Sequence, residues 1–292
     1  MADDSRTSDC EHWTQQRAWD WHNGRALLVG FNYVASTAVN DTEMWQEDSF
    51  DPVTIDRELG WAQQIGYNSC RVFMQFLVWR ANPESFKRRL DQFLTIADKH
   101  DLTVMPIFFD DCAFAGKEPY LGEQDAPVPG VHNSGWVPSP GRKYVSDRGT
   151  WAELERYVKD LVTGFRHDRR IVVWDLYNEP STPASLPLVE MAFQWAREAQ
   201  PSQPLTACVF GTEDMRRRIP ELSDVVSFHN YSDLANVTGE IEARRPLGRP
   251  LICTEWMARG QNSLFESHLP LFLKERIGSY QWGLVPNQAY FL

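Results

Sequence analysis

The sequence predicts a (β/α)8 barrel in a single domain, on three observations. Eight short apolar runs recur along the chain, most are followed by a segment of helical period, and 292 residues is a length at which such a barrel folds as one unit. The strand candidates are 26–33, 69–73, 103–109, 171–177, 205–210, 225–229, 251–254 and 280–284. Parallel strands need right-handed crossovers, and closing the sheet removes its exposed edges.

The helices follow from their start signals and periodicity. Asp51-Pro52 opens the one after the first strand, with Ile55, Leu59 and Ala62 on one face and Gly66 as its stop. Asn82-Pro83 opens the next, where Phe86, Leu90, Phe93 and Ala97 repeat at helical spacing. Thr150 and Glu153 have the spacing of a capping box ahead of Leu154, Tyr157, Val158, Leu161 and Phe165. Leu186, Val189, Phe193 and Ala196 mark the helix after the fourth strand. Ser263 and Glu266 make a second capping box before the seventh helix, which Gly278 is expected to close. The helices after the fifth and sixth strands read as short and weakly periodic. Residues 285–292 leave too little chain for an eighth outer helix, so either the end is truncated or residues 1–24 take its place. A helix over 9–21 would put Trp13, Ala18 and Trp21 on one side, packed on the barrel formed by residues 25–292.

A connection of about forty residues, 110–149, separates the third strand from its helix, and loops of that length in compact domains are functional or disordered. Phe114, Tyr120, His132 and Trp136 in it argue for order.

Composition narrows the function. With 29 basic and 40 acidic residues the net charge is −11, which repels phosphate backbones, so no nucleic-acid partner is expected. No apolar run approaches a membrane span. The acidic, polar N-terminus is not a secretory leader as written, which predicts the cytoplasm, or secretion if a leader was removed. The five cysteines (Cys10, Cys70, Cys112, Cys208 and Cys253) are odd in number and contain no CxxC, against a disulfide framework or a zinc site. No cofactor or metal is expected, and a monomer is. The 12 tryptophans suit a core first and sugar-stacking platforms second.

Chemistry in a barrel sits at the C-terminal ends of its strands. Two apolar strands there deliver glutamates: "IVVWDLYNEP" runs into Asn178-Glu179-Pro180, and "PLICTEW" ends on Glu255. Carboxylates ending two buried strands at matching depth suit glycosidic cleavage, which needs one acid to protonate the leaving oxygen and one carboxylate at the developing cation. The acid is expected to have a raised pKa and the nucleophile to be kept ionised by a nearby cation.

These residues, with Arg71 in "NSCRVF", His229 and Tyr231 in "SFHNY" and Trp282 in "YQWGLV", resemble glycoside hydrolase family 5 or a close clan A relative over roughly residues 27–290. More narrowly, "FNYVASTAVNDTEMWQ", "PGVHNSGWVPSPGR", "WDLYNEP" and "LICTEWMAR" are similar to a mostly bacterial group labelled cellulase-like or 1,4-β-xylanase-like. The resemblance implies a retaining β-glycoside hydrolase acting on a β-linked carbohydrate, with Glu179 as acid/base and Glu255 as nucleophile. It implies that Asn178 bonds the sugar 2-hydroxyl, Arg71 holds Glu255 charged, Tyr231 bonds the nucleophile, His229 meets sugar or Glu179, and Trp282 floors the pocket. One departure stands out: "RVFMQFLVW" carries only Gln75 where relatives would place a polar pair near Met74 to Phe76. Asp110 and Asp111 bind sugar or cap the loop, Trp45 and Trp136 are expected to stack on a pyranose, and Asn32 to reach the pocket. The competing readings are a barrel that binds carbohydrate without turnover, which should have lost a glutamate or Arg71, and a metal-dependent hydrolase using Asp110, His132, His229 and a glutamate, which no HxH or HExxH spacing supports.

Overall fold

The computed structural model describes residues 12–114 and 116–285. Cys10 and the first part of the expected 9–21 helix, like residues 286–292, lie outside them.

The chain begins with α1 (Gln15–Asn23) and then alternates: β1 (Val29–Tyr33), α2 (Asp41–Trp45), α3 (Pro52–Gln64), β2 (Ser69–Phe73), α4 (Phe76–Ala81), α5 (Pro83–Lys99), β3 (Thr103–Asp110), α6 (Arg142–Ser146), α7 (Trp151–Phe165) and β4 (Trp174–Asn178). It continues with α8 (Ser185–Glu198), β5 (Leu205–Thr206), α9 (Glu213–Leu222), β6 (Val226–His229), α10 (Leu234–Arg244), β7 (Leu251–Trp256), α11 (Phe265–Glu275) and β8 (Gly278–Gln281). Every ladder is parallel, in the order β5-β4-β3-β2-β1-β8-β7-β6, and the two ends meet where Cys208 bridges Ser227. The result is a single-domain (β/α)8 barrel, as the sequence predicts.

Local chemistry explains the best-predicted elements. Asn82 Oδ1 accepts from Ser85 N at 3.1 Å and Pro83 occupies the first turn of α5, whose Phe86, Leu90, Phe93 and Ala97 are buried. Asp51 caps α3 through Val53 N and Thr54 N, and the chain leaves that helix through Gly66 at φ +98°, a left-handed conformation that glycine adopts without a Cβ clash. The strands are buried on both faces, as in any parallel sheet covered by helices.

Four boundary expectations are corrected. Thr150 is already in a helical conformation, at the end of a 3-10 turn running straight into α7, and its hydroxyl donates backward to Asp147 O at 2.7 Å instead of capping. Ser263 Oγ accepts from Met257 N at 3.2 Å, and α11 starts two residues later with no side-chain cap. The same helix ends at Arg276 in a left-handed conformation, so Gly278 opens β8 rather than closing α11. β5 is only two residues long because beyond Thr206 the backbone is shared, Cys208 N donating to Tyr177 O and Val209 N to Ser227 O.

The N-terminal helix does not stand in for an eighth outer helix. Trp13 N donates to Asp224 Oδ1 and Trp19 Nε1 to Gly248 O, both at 2.9 Å. Trp21 packs against the cluster made by Leu28, Met105, Val172, Val173, Val225, Ile252 and Tyr280, at the end of the barrel opposite the glutamates. Among the described residues no helix follows β8, and beside it Tyr67, Trp256, Phe265 and Leu269 line a cavity of about 260 Å³.

Candidate active site

Strand register sets the site. Asn32 pairs with Arg71 across β1 and β2, Asp110 with Asn178 across β3 and β4, and His229 with Glu255 across β6 and β7. A register shift between Phe228 and His229 re-aims that last pair, the usual effect of an irregularity at a barrel rim. Glu179 has φ +39° immediately before Pro180, a strained backbone for a residue with a Cβ. Gly211 approaches this turn so closely that a Cβ there would lie 2.3 Å from Pro180 O.

Arg71 is the buried hub. Its Nε donates to Asp175 Oδ2 at 2.9 Å, Nη1 to Asn32 Oδ1 at 2.8 Å and Glu255 Oε1 at 2.9 Å, and Nη2 to Asn178 Oδ1 at 2.7 Å. Nη2 also lies 2.8 Å from Asp175 Oδ2, and neither Arg71 nor Asp175 is exposed to solvent. A guanidinium suits this position because its planar fork reaches several acceptors at once.

The two glutamates meet through His229. Its Nδ1 lies 2.7 Å from Glu179 Oε1 and 3.4 Å from Glu255 Oε2, and an oxygen of each carboxylate lies within 4.8 Å of the other. Tyr231 OH donates to Glu255 Oε2 at 2.7 Å, and the Cys112 thiol to Glu179 Oε2 at 3.3 Å. Burial lifts Glu255 above the ordinary carboxylate range, with His229, Arg71 and the Tyr231 hydroxyl pulling the other way. Burial would lift Glu179 as well, but the hydrogen bond and charge of His229, the Cys112 thiol and Arg71 outweigh it and leave Glu179 below its ordinary value. His229, which burial alone would lower, is held well above an ordinary imidazole by the adjacent Cys208 side chain, by Glu255 and by its hydrogen bond to Glu179. The expected order is therefore reversed: the raised carboxyl is Glu255, because the His229 ring sits closer to Glu179.

Above the glutamates opens a cavity of about 410 Å³. Phe73, Trp136 and Trp282 form one wall, ring centroids 4.9 to 6.0 Å apart. Cys112, Phe114, His132 and Asn133, which like Trp136 come from the long β3–α6 connection, make up much of the rest, with Asn178, Tyr231, Met257, Ala258 and Gln261.

Glu179, Glu255, Asn178, Tyr231, Trp282 and Trp136 are thus brought together around one pocket, and three expected sugar contacts lie behind its wall. Asn32 is fully buried, and its amide nitrogen donates to Thr254 O and Gln281 O while its oxygen receives Arg71. Asp110 accepts from Trp136 Nε1 at 2.7 Å and Asn178 Nδ2 at 2.8 Å, and burial pushes its pKa up to about 7. Trp45 is a core residue, packed on Phe50, Phe86 and Phe93 with its indole N–H on Phe73 O, because α2 turns its ring inward against α5. Arg71 and His229 are likewise absent from the pocket lining and act on it through the glutamates. Asp111 accepts from Tyr177 OH at 2.7 Å and from Ser181 N at 2.8 Å, a loop-fixing role. Asp110, His132 and His229 do not form a ligand cluster; among the described residues the one group of that kind is Glu179, His229 and Glu255 themselves.

Asp175, Cys112, Asn133 and Gln261 escaped the sequence reading. Asp175 had a signal, since a carboxylate inside an apolar strand requires a buried partner; the others sit in connections without periodicity.

A scan against protein-family models finds no match, and a search of curated protein sequences finds none. Solved structures do resemble the chain. An endo-1,4-β-D-mannanase from Thermotoga petrophila matches at 12% identity and TM-score 0.61, over 91% of this chain and 93% of that one. A glycoside hydrolase family 5 mannosidase from Rhizomucor miehei matches at 14% and 0.57, over 88% of this chain and 80% of that one. A Bacteroides uniformis β-glucuronidase matches at 14% and 0.57 over 88% of this chain but only 30% of its own. At these identities the shared property is the barrel.

Proposed function

We propose that this chain is a β-glycoside hydrolase that cleaves a β-linked carbohydrate with retention, Glu255 acting as nucleophile and Glu179 as acid/base. The observation that carries the reading is the approach of the two carboxylates, oxygen to oxygen within 4.8 Å, at the bottom of one pocket. Separations near 5 Å suit a covalent glycosyl ester, whereas inverting enzymes leave room for a water. The barrel shared with a mannanase, a family 5 mannosidase and a β-glucuronidase supports it.

In the first step a Glu255 oxygen bonds to the anomeric carbon as the glycosidic C–O bond breaks and its oxygen takes a proton from Glu179. In the second, Glu179 removes a proton from water, which displaces Glu255 and restores the anomeric configuration. Arg71 and Tyr231 hold the attacking carboxylate in place through Oε1 and Oε2.

The reversed pKa order fits this scheme through one proton. Glu179 carboxylate with His229 imidazolium, and Glu179 acid with neutral His229, contain the same number of protons and differ by a shift along the 2.7 Å Nδ1···Oε1 hydrogen bond. The Glu179 side chain is 20% exposed to solvent. A sugar covering it removes that water and favours the uncharged pair, arming the acid only when substrate is bound.

The test is turnover of 4-nitrophenyl β-glycosides with product anomers followed by NMR. Glu255→Ala should lose several orders of magnitude in kcat and regain activity with azide, giving an α-glycosyl azide. A first-formed product of inverted configuration from the unsubstituted enzyme would overturn the mechanism.

A further inference from the structure

Asn133 presents to the pocket a buried polar atom that no described residue satisfies. Asn133 lines the cavity, is 2% exposed, and its carboxamide oxygen has no hydrogen-bond partner among the described residues. Such an oxygen in a native interior calls for an explanation. Whichever way the carboxamide is turned, it offers an acceptor and two donors. Its backbone lies at φ +53°, a left-handed conformation that asparagine tolerates better than most residues.

The surrounding loop cannot easily relax to supply a partner. Trp136 N donates to Asn133 O at 3.0 Å, and Asn40 Nδ2 donates to Gly135 O at 2.9 Å. Gly135 lies so near β1's following loop that a Cβ there would fall 2.4 Å from Val39 Cγ2. Meanwhile Gln75, the one polar group after β2, is turned away, its amide nitrogen donating to Asp41 Oδ2 at 3.2 Å and Pro138 O at 3.3 Å. A carboxamide is therefore presented from the long loop, where the end of β2 presents none.

The charges lining the pocket restrict what it can bind. Among the described lining residues Glu179 and Glu255 are the charged groups; none is lysine or arginine. Arg71, behind the wall, is already engaged by two carboxylates. Burial lowers His132 below an ordinary imidazole, which favours its neutral ring. A ligand carboxylate would meet the Glu255 charge and the hydrogen-bonded Glu179–His229 pair, with no lysine or arginine in the lining to receive it.

We propose that Asn133 is the specificity-determining residue that hydrogen-bonds a hydroxyl of the sugar in this pocket, and that this sugar is an uncharged pyranose. The proposal rests on the reading of the pocket as a carbohydrate site, and its test is binding, not turnover. The wild-type protein is titrated by NMR with the hydrolysis-resistant methyl 1-thio-β-D-glucoside, mannoside, galactoside and xyloside, and with methyl β-D-glucuronide. At least one neutral sugar should shift the assigned side-chain amide of Asn133 together with the Trp282 indole, and the glucuronide should shift neither. Asn133→Ala should weaken that sugar about ten- to a hundredfold, while the monodeoxy analogue lacking the hydroxyl in question binds both proteins alike. Indole shifts without an Asn133 shift would overturn the proposal, as would equal binding of the glucuronide, or no shift with any of the sugars. Failure of the glycosidase reading would look different: hydrolysis undiminished in Glu255→Ala.

Discussion

Arg71→Met would test the electrostatic centre of the barrel most directly. The substitution keeps an unbranched apolar chain but removes the one cation bonded to both Asp175 and Glu255, each buried. Removing one partner of a buried ion pair costs about 3–5 kcal/mol, since the remaining charge is left in a poorly polarisable interior. At about 2–4 °C per kcal/mol for a chain approaching this size, the melting temperature should fall by roughly 6 to 20 °C. The abandoned carboxyls respond by taking up protons, so their folded pKa values rise above the unfolded ones. A carboxyl raised in the folded state makes that state bind more protons than the unfolded chain, so the deficit should grow from pH 5 toward pH 8. Glu255, already lifted by burial, loses one of the influences holding it down, and the acidic limb of the kcat/KM profile should move to higher pH. Adding Asp175→Asn removes the second stranded acid and should recover part of the melting temperature without restoring activity. Calorimetry across that pH range, with a pH–rate profile, reads all of this. A variant melting within about 1 °C of the parent, or an unmoved acidic limb, would refute Arg71 as the compensating charge.

In the unsubstituted protein, the kcat/KM of the proposed turnover should rise with pH as Glu255 ionises and fall as the proton shared by His229 and Glu179 is lost. Burial lifts the first above an ordinary carboxylate and the Cys208, Glu255 and Glu179 side chains lift the second above an ordinary imidazole, so the active window should lie higher than isolated side chains would put it. His229→Gln should bring the alkaline limb down, because Glu179 must then keep its own proton; a limb that stays put would assign it to another group. Trp45→Ala should cost about 3–5 kcal/mol of stability and leave KM within about twofold, whereas a tenfold rise in KM with unchanged melting would return Trp45 to the pocket.

How far the site can be read without coordinates depends on the range of the interactions involved. The amphipathic stripe and Asn82-Pro83 start of α5, and the β2 run from Ser69 to Phe73, follow from residues a few positions apart. So do Glu179 and Glu255, since a polar residue ending a buried strand in a closed parallel barrel must emerge at its rim. The two capping boxes had the right spacing and did not form, because whether a hydroxyl turns toward the helix depends on what the preceding turn offers it.

The sequence by itself determined the barrel, the strands that carry the glutamates, and the apolar faces that bury them, because periodicity and strand-end chemistry are local. Tertiary structure alone decided which tryptophan reaches the pocket, Trp136 rather than Trp45, and left Asn133 facing a cavity. It also joined Arg71 to Asp175, Asn178 and Glu255 across 104, 107 and 184 residues, and set His229 against Glu179, which decides which carboxyl is lifted and which is lowered. Those outcomes depend on register and on distances of a few ångströms between strands far apart in sequence, which no local pattern encodes.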